Sequence, residues 1–171
     1  FEKNSKLCMK IQENIKLSDF TTFHIGGKAR FFCVVKSEKD LKEAAGFADK
    51  NKLPVFLLGA GSKILISDDG FKGLVIKMGF EGMEFKEEGE KVLAIVGAGE
   101  NWDKLVGESV NRGLYGLENL SLIPGSVGVA PVQNIGAYGA DISQTVKWVE
   151  VFDMQNGEMK KLSKEECGLG Y

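Results

Sequence analysis

The sequence predicts a mixed α and β fold of two lobes, built around a long binding loop. Between residues 31 and 58 a strand, a helix and a second strand follow one another, an order typical of a βαβ unit with parallel strands. The pattern changes near residue 80, so we expect residues 1–79 and 80–171 to form separate lobes. The stretch 116–139 is rich in Gly and Pro yet apolar, and loops of this length in a compact domain are usually binding loops.

The predicted first lobe places one amphipathic helix between apolar strands. Ser37 and Asp40 fit a capping box, and the apolar positions that follow have helical spacing. Pro54 marks the end of this helical region. These patterns predict helices within 1–17 and over 38–50, and strands at Phe31–Val35, Val55–Leu58, Ile64–Ser67 and Leu74–Lys77.

The predicted second lobe begins with a hairpin. Met83–Glu88 and Lys91–Val96 are predicted to form a hairpin around Glu88-Gly89-Glu90. A helix then begins near Trp102 and ends at Asn111-Arg112-Gly113. After the long loop, the pattern predicts strands at Thr145–Phe152 and Met159–Leu162, with a last helical turn capped by Ser163.

Composition and charge argue against several classes of function. The net charge is −2 and no basic stripe follows a predicted helix, so we expect no nucleic-acid partner. No stretch reaches the ~18–20 apolar residues that span a bilayer, so we expect no membrane insertion. Three scattered cysteines and one histidine, His24, argue against a metal site and favour a reducing compartment. The chain begins at Phe1 without a secretory signal and stops after a Gly-Leu-Gly turn signal, so we expect a fragment.

The motif LGAGS, which follows a predicted strand, is suited to a phosphate group. Gly59 and Gly61 allow close approach of the backbone to a ligand and present N–H groups, and Ser62 adds a hydroxyl. We expect a side chain at Gly61 to fill the space of a pyrophosphate. The motif is neither a Walker A loop nor a complete GxGxxG fingerprint, and a simple tight turn between strands is an equal alternative.

The central loop adds groups that recognise a flat, polar ligand. Small residues at 124–128 let such a ligand approach the backbone, and Gln133 and Asn134 supply amides. Tyr138 offers an aromatic face or a phenol. The alternative is a structural Ω-loop packed on its own side chains.

Acid–base groups are scarce near these loops, and each has a simpler interpretation as a solvated or helix-end charge. They are Glu118, Asp141, Glu165 and Glu166. If the protein is an enzyme, we therefore expect a bound cofactor to supply the chemistry.

Four stretches resemble the bacterial UDP-N-acetylenolpyruvoylglucosamine reductases (MurB): TTFHIGGKA, LGAGSKIL, GAGENWDKLV and the whole of 116–139. The ending Cys167–Tyr171 resembles a segment that continues with Arg-Asp-Ser in type I members. The resemblance implies an α+β, two-lobed FAD-binding fold of the vanillyl-alcohol-oxidase (PCMH) type, with a third, substrate-binding domain absent from this chain. A stand-alone flavin- or nucleotide-binding module is the alternative, and a related FAD oxidase is disfavoured by the central loop.

The resemblance also implies a reaction. NADPH reduces FAD, and the reduced flavin delivers hydride to the enolpyruvyl group of a UDP-sugar, giving UDP-N-acetylmuramate for peptidoglycan. We expect a bacterial cytoplasmic enzyme with no obligate protein partner.

Site residues are implied by the same resemblance. The catalytic arginine is expected directly after Tyr171 and the serine and glutamate further on, so no catalytic residue and no metal ligand is expected in this chain, which should not turn over alone. Lys63 replaces the usual Asn, which removes an amide. Tyr138 and Tyr171 are expected to contact substrate. The expected cofactor-binding residues are Leu58, Gly59, Ala60, Gly61, Ser62, Lys63, Ile64, Leu65, Ile123, Pro124, Gly125, Ser126, Gly128, Asn134, Ile135, Gly136 and Ala137.

Overall fold

A four-stranded sheet forms the first half of the protein, in a computed structural model that describes residues 9–170. The strand order is β1-β2-β4-β3; β2, β4 and β3 are parallel, and β1 pairs antiparallel with β2. Helix α1 connects β2 to β3, which confirms the predicted βαβ unit. The elements are β1 (Gln12–Lys16), β2 (Lys28–Val35), α1 (Glu38–Lys50), β3 (Val55–Leu58) and β4 (Phe71–Met78).

Helix α1 forms where its cap and its apolar spacing predict. The Ser37 hydroxyl accepts a hydrogen bond from the Asp40 N–H at 3.2 Å, and the Asp40 carboxylate accepts one from the Lys36 N–H at 2.9 Å. The buried residues of the helix share one side, because positions three and four apart lie on one helix face. They pack on one face of the sheet, in a cluster of Cys33, Val35, Leu41, Ala44, Ala48, Leu74 and Ile76.

Two predictions in this half are wrong. The described part of 1–17 contains strand β1 rather than a helix, because pairing with β2, for example Gln12 with Phe32, satisfies its backbone. Residues 1–8 lie outside the described part. The predicted strand Ile64–Ser67 is irregular. Parallel strands β3 and β4 need a connection that returns across the sheet, and Ile64 and Ile66 pack beneath it instead of joining a ladder.

The second half begins as predicted, with a hairpin and a helix. The later strands agree approximately with the predictions, although the strand expected from Thr145 begins only at Trp148, after a 3₁₀ turn at Ile142–Gln144. Ser163 caps the last turn, since its hydroxyl accepts from the Glu166 N–H at 3.2 Å. The elements are β5 (Met83–Glu88), β6 (Lys91–Val96), α2 (Trp102–Asn111), β7 (Gly136–Ala137), β8 (Ala140–Asp141), β9 (Trp148–Asp153) and β10 (Glu158–Ser163).

The apolar core of the second half forms around α2. It joins the buried face of that helix to the long loop, through Trp102, Leu105, Val106, Leu120, Ala130, Ile135 and Ile142. Phe152 of β9 packs instead on the cluster of α1. The division into lobes at residue 80 stays a prediction.

Candidate functional site

The carboxyl ends of the parallel strands carry the first candidate loop, Gly59–Ser62. It follows β3 directly, and in α/β sheets ligands commonly bind beyond this edge. The Lys77 ammonium on β4 donates a hydrogen bond to the Gly59 carbonyl at 2.9 Å, so the neighbouring strand holds the first residue of the loop. A Cβ atom at Gly59 would lie 2.8 Å from the Ser126 Oγ and 2.6 Å from a Val129 methyl group. Glycine is therefore needed here because the two loops touch.

Gly61 has a structural role that the sequence did not predict. Its φ is +72°, and a Cβ atom would lie 1.9 Å from the Phe20 carbonyl oxygen. Its own carbonyl accepts a hydrogen bond from the Thr22 N–H at 3.1 Å. A side chain at Gly61 would thus collide with the backbone of Phe20. The expectation that such a side chain would fill the space of a pyrophosphate is wrong.

The central loop is held against Gly59–Ser62 and against Gly97–Gly99, which has the same Gly-Ala-Gly sequence as Gly59–Gly61. The Ser62 hydroxyl donates to the Pro124 carbonyl at 3.1 Å. On the other side, the Gly128 N–H donates to the Ala98 carbonyl at 2.9 Å, and a Cβ at Gly128 would lie 2.6 Å from the Ala98 Cβ. The central loop therefore lies between two segments with the same Gly-Ala-Gly sequence, Gly59–Gly61 and Gly97–Gly99.

A groove of about 630 Å³ opens beside these contacts. Its size falls in the range typical of small-molecule and cofactor sites. Eight of the predicted site residues line it, and Ser121, Leu122 and Gln133 line it as well although the predicted set omits them. The predicted residues at the groove are Lys63, Ile123, Pro124, Asn134, Ile135, Gly136, Ala137 and Tyr138.

The remaining predicted residues lie beside the groove or apart from it. Gly125 and Ser126 line a small cavity of about 10 Å³ against Trp102. Leu58 and Ile64 contribute to the apolar face beneath the sheet, whereas Leu65 is 74% exposed. Tyr171 lies outside the described residues. The assignment of these residues to a cofactor stays a prediction.

Three buried side-chain oxygen atoms lack a hydrogen-bond partner among the described residues: Gln133 Oε1 and Asn134 Oδ1 at the groove, and Ser126 Oγ in the small cavity beside it. Buried polar groups are nearly always paired, so such atoms mark places where another molecule donates. The Asn134 amide nitrogen donates to the Gly170 carbonyl at 2.6 Å, which orients its oxygen. A ligand with N–H and hydroxyl groups, such as a flavin with its ribityl chain, fits this set.

Strained backbone also concentrates at the groove. Leu122, Asn134 and Tyr138 have φ values of +60°, +46° and +52°. Non-glycine residues seldom adopt this conformation, and it tends to occur at binding sites. Leu122 is 82% and Tyr138 is 91% exposed, so both present large side chains at the groove rim. No sequence signal identified Leu122.

The acidic groups near the loops have structural partners. The Glu118 carboxylate accepts hydrogen bonds from its own N–H and that of Gly116, which lower its pKa. Asp141 accepts from the Ser143 N–H at 2.8 Å, and Glu166 from the Ser163 N–H at 2.8 Å. None of the described residues that line the groove is an acid, a histidine or a cysteine.

Comparison with known proteins identifies the family. Residues 29–163 match the FAD binding domain family, over most of the chain. This chain belongs to the FAD-binding domain family. The predicted cofactor FAD thus agrees with the family of the domain.

Curated relatives of this FAD-binding domain are UDP-N-acetylenolpyruvoylglucosamine reductases. The protein from Thermobifida fusca is 42% identical over 92% of this chain and 45% of its own length. The protein from Pseudomonas aeruginosa is 38% identical over 96% of this chain and 49% of its own length. The resemblance to this reductase family is confirmed, and the chain spans about half the length of the curated relatives it matches.

Solved structures confirm the predicted fold type of the FAD-binding domain. The MurB structure from Thermus caldophilus matches with a TM-score of 0.76 and 31% identity, over 96% of this chain and 56% of that chain. BBE-like 1 from Physcomitrella patens matches with a TM-score of 0.66 and 16% identity, over 92% of this chain and 36% of that chain. The second likeness shows the fold alone, an α+β fold of the predicted type.

Two other features are absent from residues 9–170 of this FAD-binding domain. No helix in that range has the length and apolar character needed to cross a bilayer. The same range contains no group of three or more His, Cys, Asp or Glu side chains arranged to hold a metal ion.

Proposed function

We propose that the chain is the FAD-binding part of an NADPH-dependent reductase that converts UDP-N-acetylglucosamine enolpyruvate to UDP-N-acetylmuramate for peptidoglycan. The observation that carries the proposal is the groove, where two glycine-rich loops are held together and unpaired buried oxygens point to a ligand. The relatives are UDP-N-acetylenolpyruvoylglucosamine reductases, which supports the reductase activity. Their bacterial sources and the free Cys33 and Cys167 support a bacterial cytoplasmic location.

Each loop has a separate task in this proposal. Bound FAD would supply hydride-transfer chemistry between NADPH and the substrate. The backbone N–H groups of Gly59–Ser62 hold the diphosphate, while the Ser62 hydroxyl, which donates to the Pro124 carbonyl, fixes the central loop beside them. Residues 123–128 and 134–137 hold the rest of the cofactor, with the Asn134 oxygen as an acceptor. Tyr138, exposed at the groove rim, borders the substrate space.

Proton transfer is assigned to groups outside residues 9–170. Hydride addition to an enolpyruvyl group leaves negative charge that needs stabilisation and a proton. The described groove residues supply only Lys63 and Tyr138 as titratable groups. We therefore expect no turnover by the 171-residue chain alone. The full gene product should turn over, with the arginine, serine and glutamate that the resemblance implies.

Flavin content and turnover test the proposal separately. Purified full-length gene product should be yellow and should oxidise NADPH when given the enolpyruvyl UDP-sugar. A colourless protein that cannot be reconstituted with FAD contradicts the cofactor assignment. Flavin binding without NADPH oxidation would instead favour a stand-alone binding module, and turnover with oxygen in place of NADPH would favour an oxidase.

A further inference from the structure

Lys77 is a half-buried cation at the edge of the sheet where the candidate ligand binds. It lies on β4 and pairs in register with Leu58 of β3 and Val34 of β2. Paired residues of neighbouring strands share a face of the sheet. The stem of Lys77 therefore runs along the apolar face that contains Leu58 and Val75, towards the Gly59 carbonyl.

No carboxylate neutralises this charge in the described part of the chain. The ion pairs found between described residues do not include Lys77. Its one hydrogen bond there uses one of three ammonium protons, on the Gly59 carbonyl. Burial lowers the pKa of Lys77, because removing the ammonium from water costs free energy. An anion bound beside the ammonium would offset this cost.

We propose that Lys77 supplies the positive charge that binds the diphosphate of the cofactor at Gly59–Ser62. The inference rests on the proposed use of that loop. The loop itself offers only N–H groups, because the Ser62 hydroxyl already donates to the Pro124 carbonyl. Lys63, the next residue, has an exposed side chain. Lys77 thus acts in two ways: it holds the Gly59 carbonyl, and it places a charge beside the N–H groups that contact phosphate.

Of the two lysines on β4, only Lys77 lies at the end of the strand next to Gly59. The ammonium of Lys77 is tied to the first carbonyl of the loop, whereas Lys72 lies on the same strand and is exposed at its other end. Lys72 therefore serves as the matched control. Lys77→Met keeps the apolar stem and removes the charge, and Lys77→Arg keeps the charge.

The test compares affinities of purified protein for FAD, for ADP, which carries the diphosphate without flavin, and for riboflavin, which carries flavin without phosphate. Lys77→Met should weaken FAD and ADP binding by roughly 10- to 100-fold, as expected for loss of a hydrogen bond to a charged group, with riboflavin binding unchanged. Lys77→Arg should retain most of the affinity, and Lys72→Met all of it.

Three results would overturn the inference: unchanged FAD and ADP affinity in Lys77→Met, an equal loss for riboflavin, or an equal loss in Lys72→Met. The melting temperature of each variant without ligand serves as a check on folding. Should Lys77→Met fail to fold, Lys77→Gln with the same three ligands replaces it. Wild-type protein that binds no FAD would instead refute the proposed function.

Discussion

Gly61 shows how a residue chosen by motif can have a different physical task from the one the motif suggests. Its φ of +72° lies in a region where residues with a Cβ atom are strained. Its α-carbon also faces the Phe20 carbonyl, and that contact brings the 17–22 turn against the loop. Glycine is thus required here by the fold, whatever ligand the loop binds.

Gly61→Ala is expected to destabilise the protein by more than backbone strain alone. The strain costs about 1–2 kcal/mol, and the clash with Phe20 adds to it. Gly89→Ala is the matched control, because Gly89 has a φ of +64° and nothing within 4 Å of an added Cβ. Urea unfolding measures both. Equal free energies of unfolding for the two variants would show that the contact with Phe20 is unimportant.

At the scale of elements, Glu100 connects the start of the hairpin to helix α2. Its carboxylate accepts from the Gly82 N–H at 2.9 Å and from the Lys104 ammonium at 3.1 Å. The residue is only 7% exposed. These hydrogen bonds lower the pKa of Glu100 in the folded protein. The bond from Gly82 has the largest effect and the bond from Lys104 the next largest. Because the Glu100 carbonyl also accepts from the Val127 N–H, the same residue supports the central loop.

The stability that Glu100 contributes should depend on pH. A carboxyl whose pKa is lower in the folded state stabilises fully above its unfolded pKa and loses that contribution as pH falls through the folded pKa. The free energy of unfolding should therefore fall less steeply below about pH 4 in Glu100→Gln than in wild type. At pH 7 the variant should be less stable by about 1–3 kcal/mol, through weaker hydrogen bonds at a buried position.

Glu108→Gln is the control, since Glu108 lies on helix α2, which begins just after Glu100, and its side chain is 45% exposed. Its unfolding free energy should follow the wild-type pH profile. If Glu100→Gln follows that profile as well, Glu100 is not the group that titrates.

At the scale of the molecule, the proposed cofactor site joins two separately packed regions. Gly59–Ser62 follows the four-stranded sheet, whereas residues 116–139 pack on α2. The described loops meet through the Ser62–Pro124 hydrogen bond and the Gly59–Ser126 approach. A ligand that contacts both loops therefore stabilises each region and also the contact between the two regions.

FAD should accordingly raise the melting temperature. At a free concentration of about 100 times its Kd, a ligand that binds only the folded state adds about 2.7 kcal/mol, which corresponds to roughly 5–10 °C for a chain of this size. Differential scanning calorimetry with and without FAD measures the shift, with riboflavin as a comparison. No shift at saturating FAD would argue against a site shared by the two regions.

Much of the fold was predictable because its signals are local. Helix α1 has its cap within four residues, and the hairpin β5–β6 has its turn at Glu88-Gly89-Glu90. Strand β1 was not predictable in this way, since its extended conformation depends on pairing with β2. The irregular connection at 64–67 was missed for a related reason: two isoleucines there pack under the sheet, and periodicity alone does not distinguish this from a strand.

The sequence by itself determined the ligand class, because glycine-rich loops with distinctive neighbours occur in a known family of FAD proteins. It also placed the βαβ unit and the two loops. Only the tertiary structure decided that the loops touch and that the Phe20 carbonyl packs against Gly61. It also decided that Leu122 lies at the groove and that Lys77 donates to the Gly59 carbonyl. Each of these depends on contacts between residues far apart in the chain, and such contacts leave no periodic or local signal in one sequence.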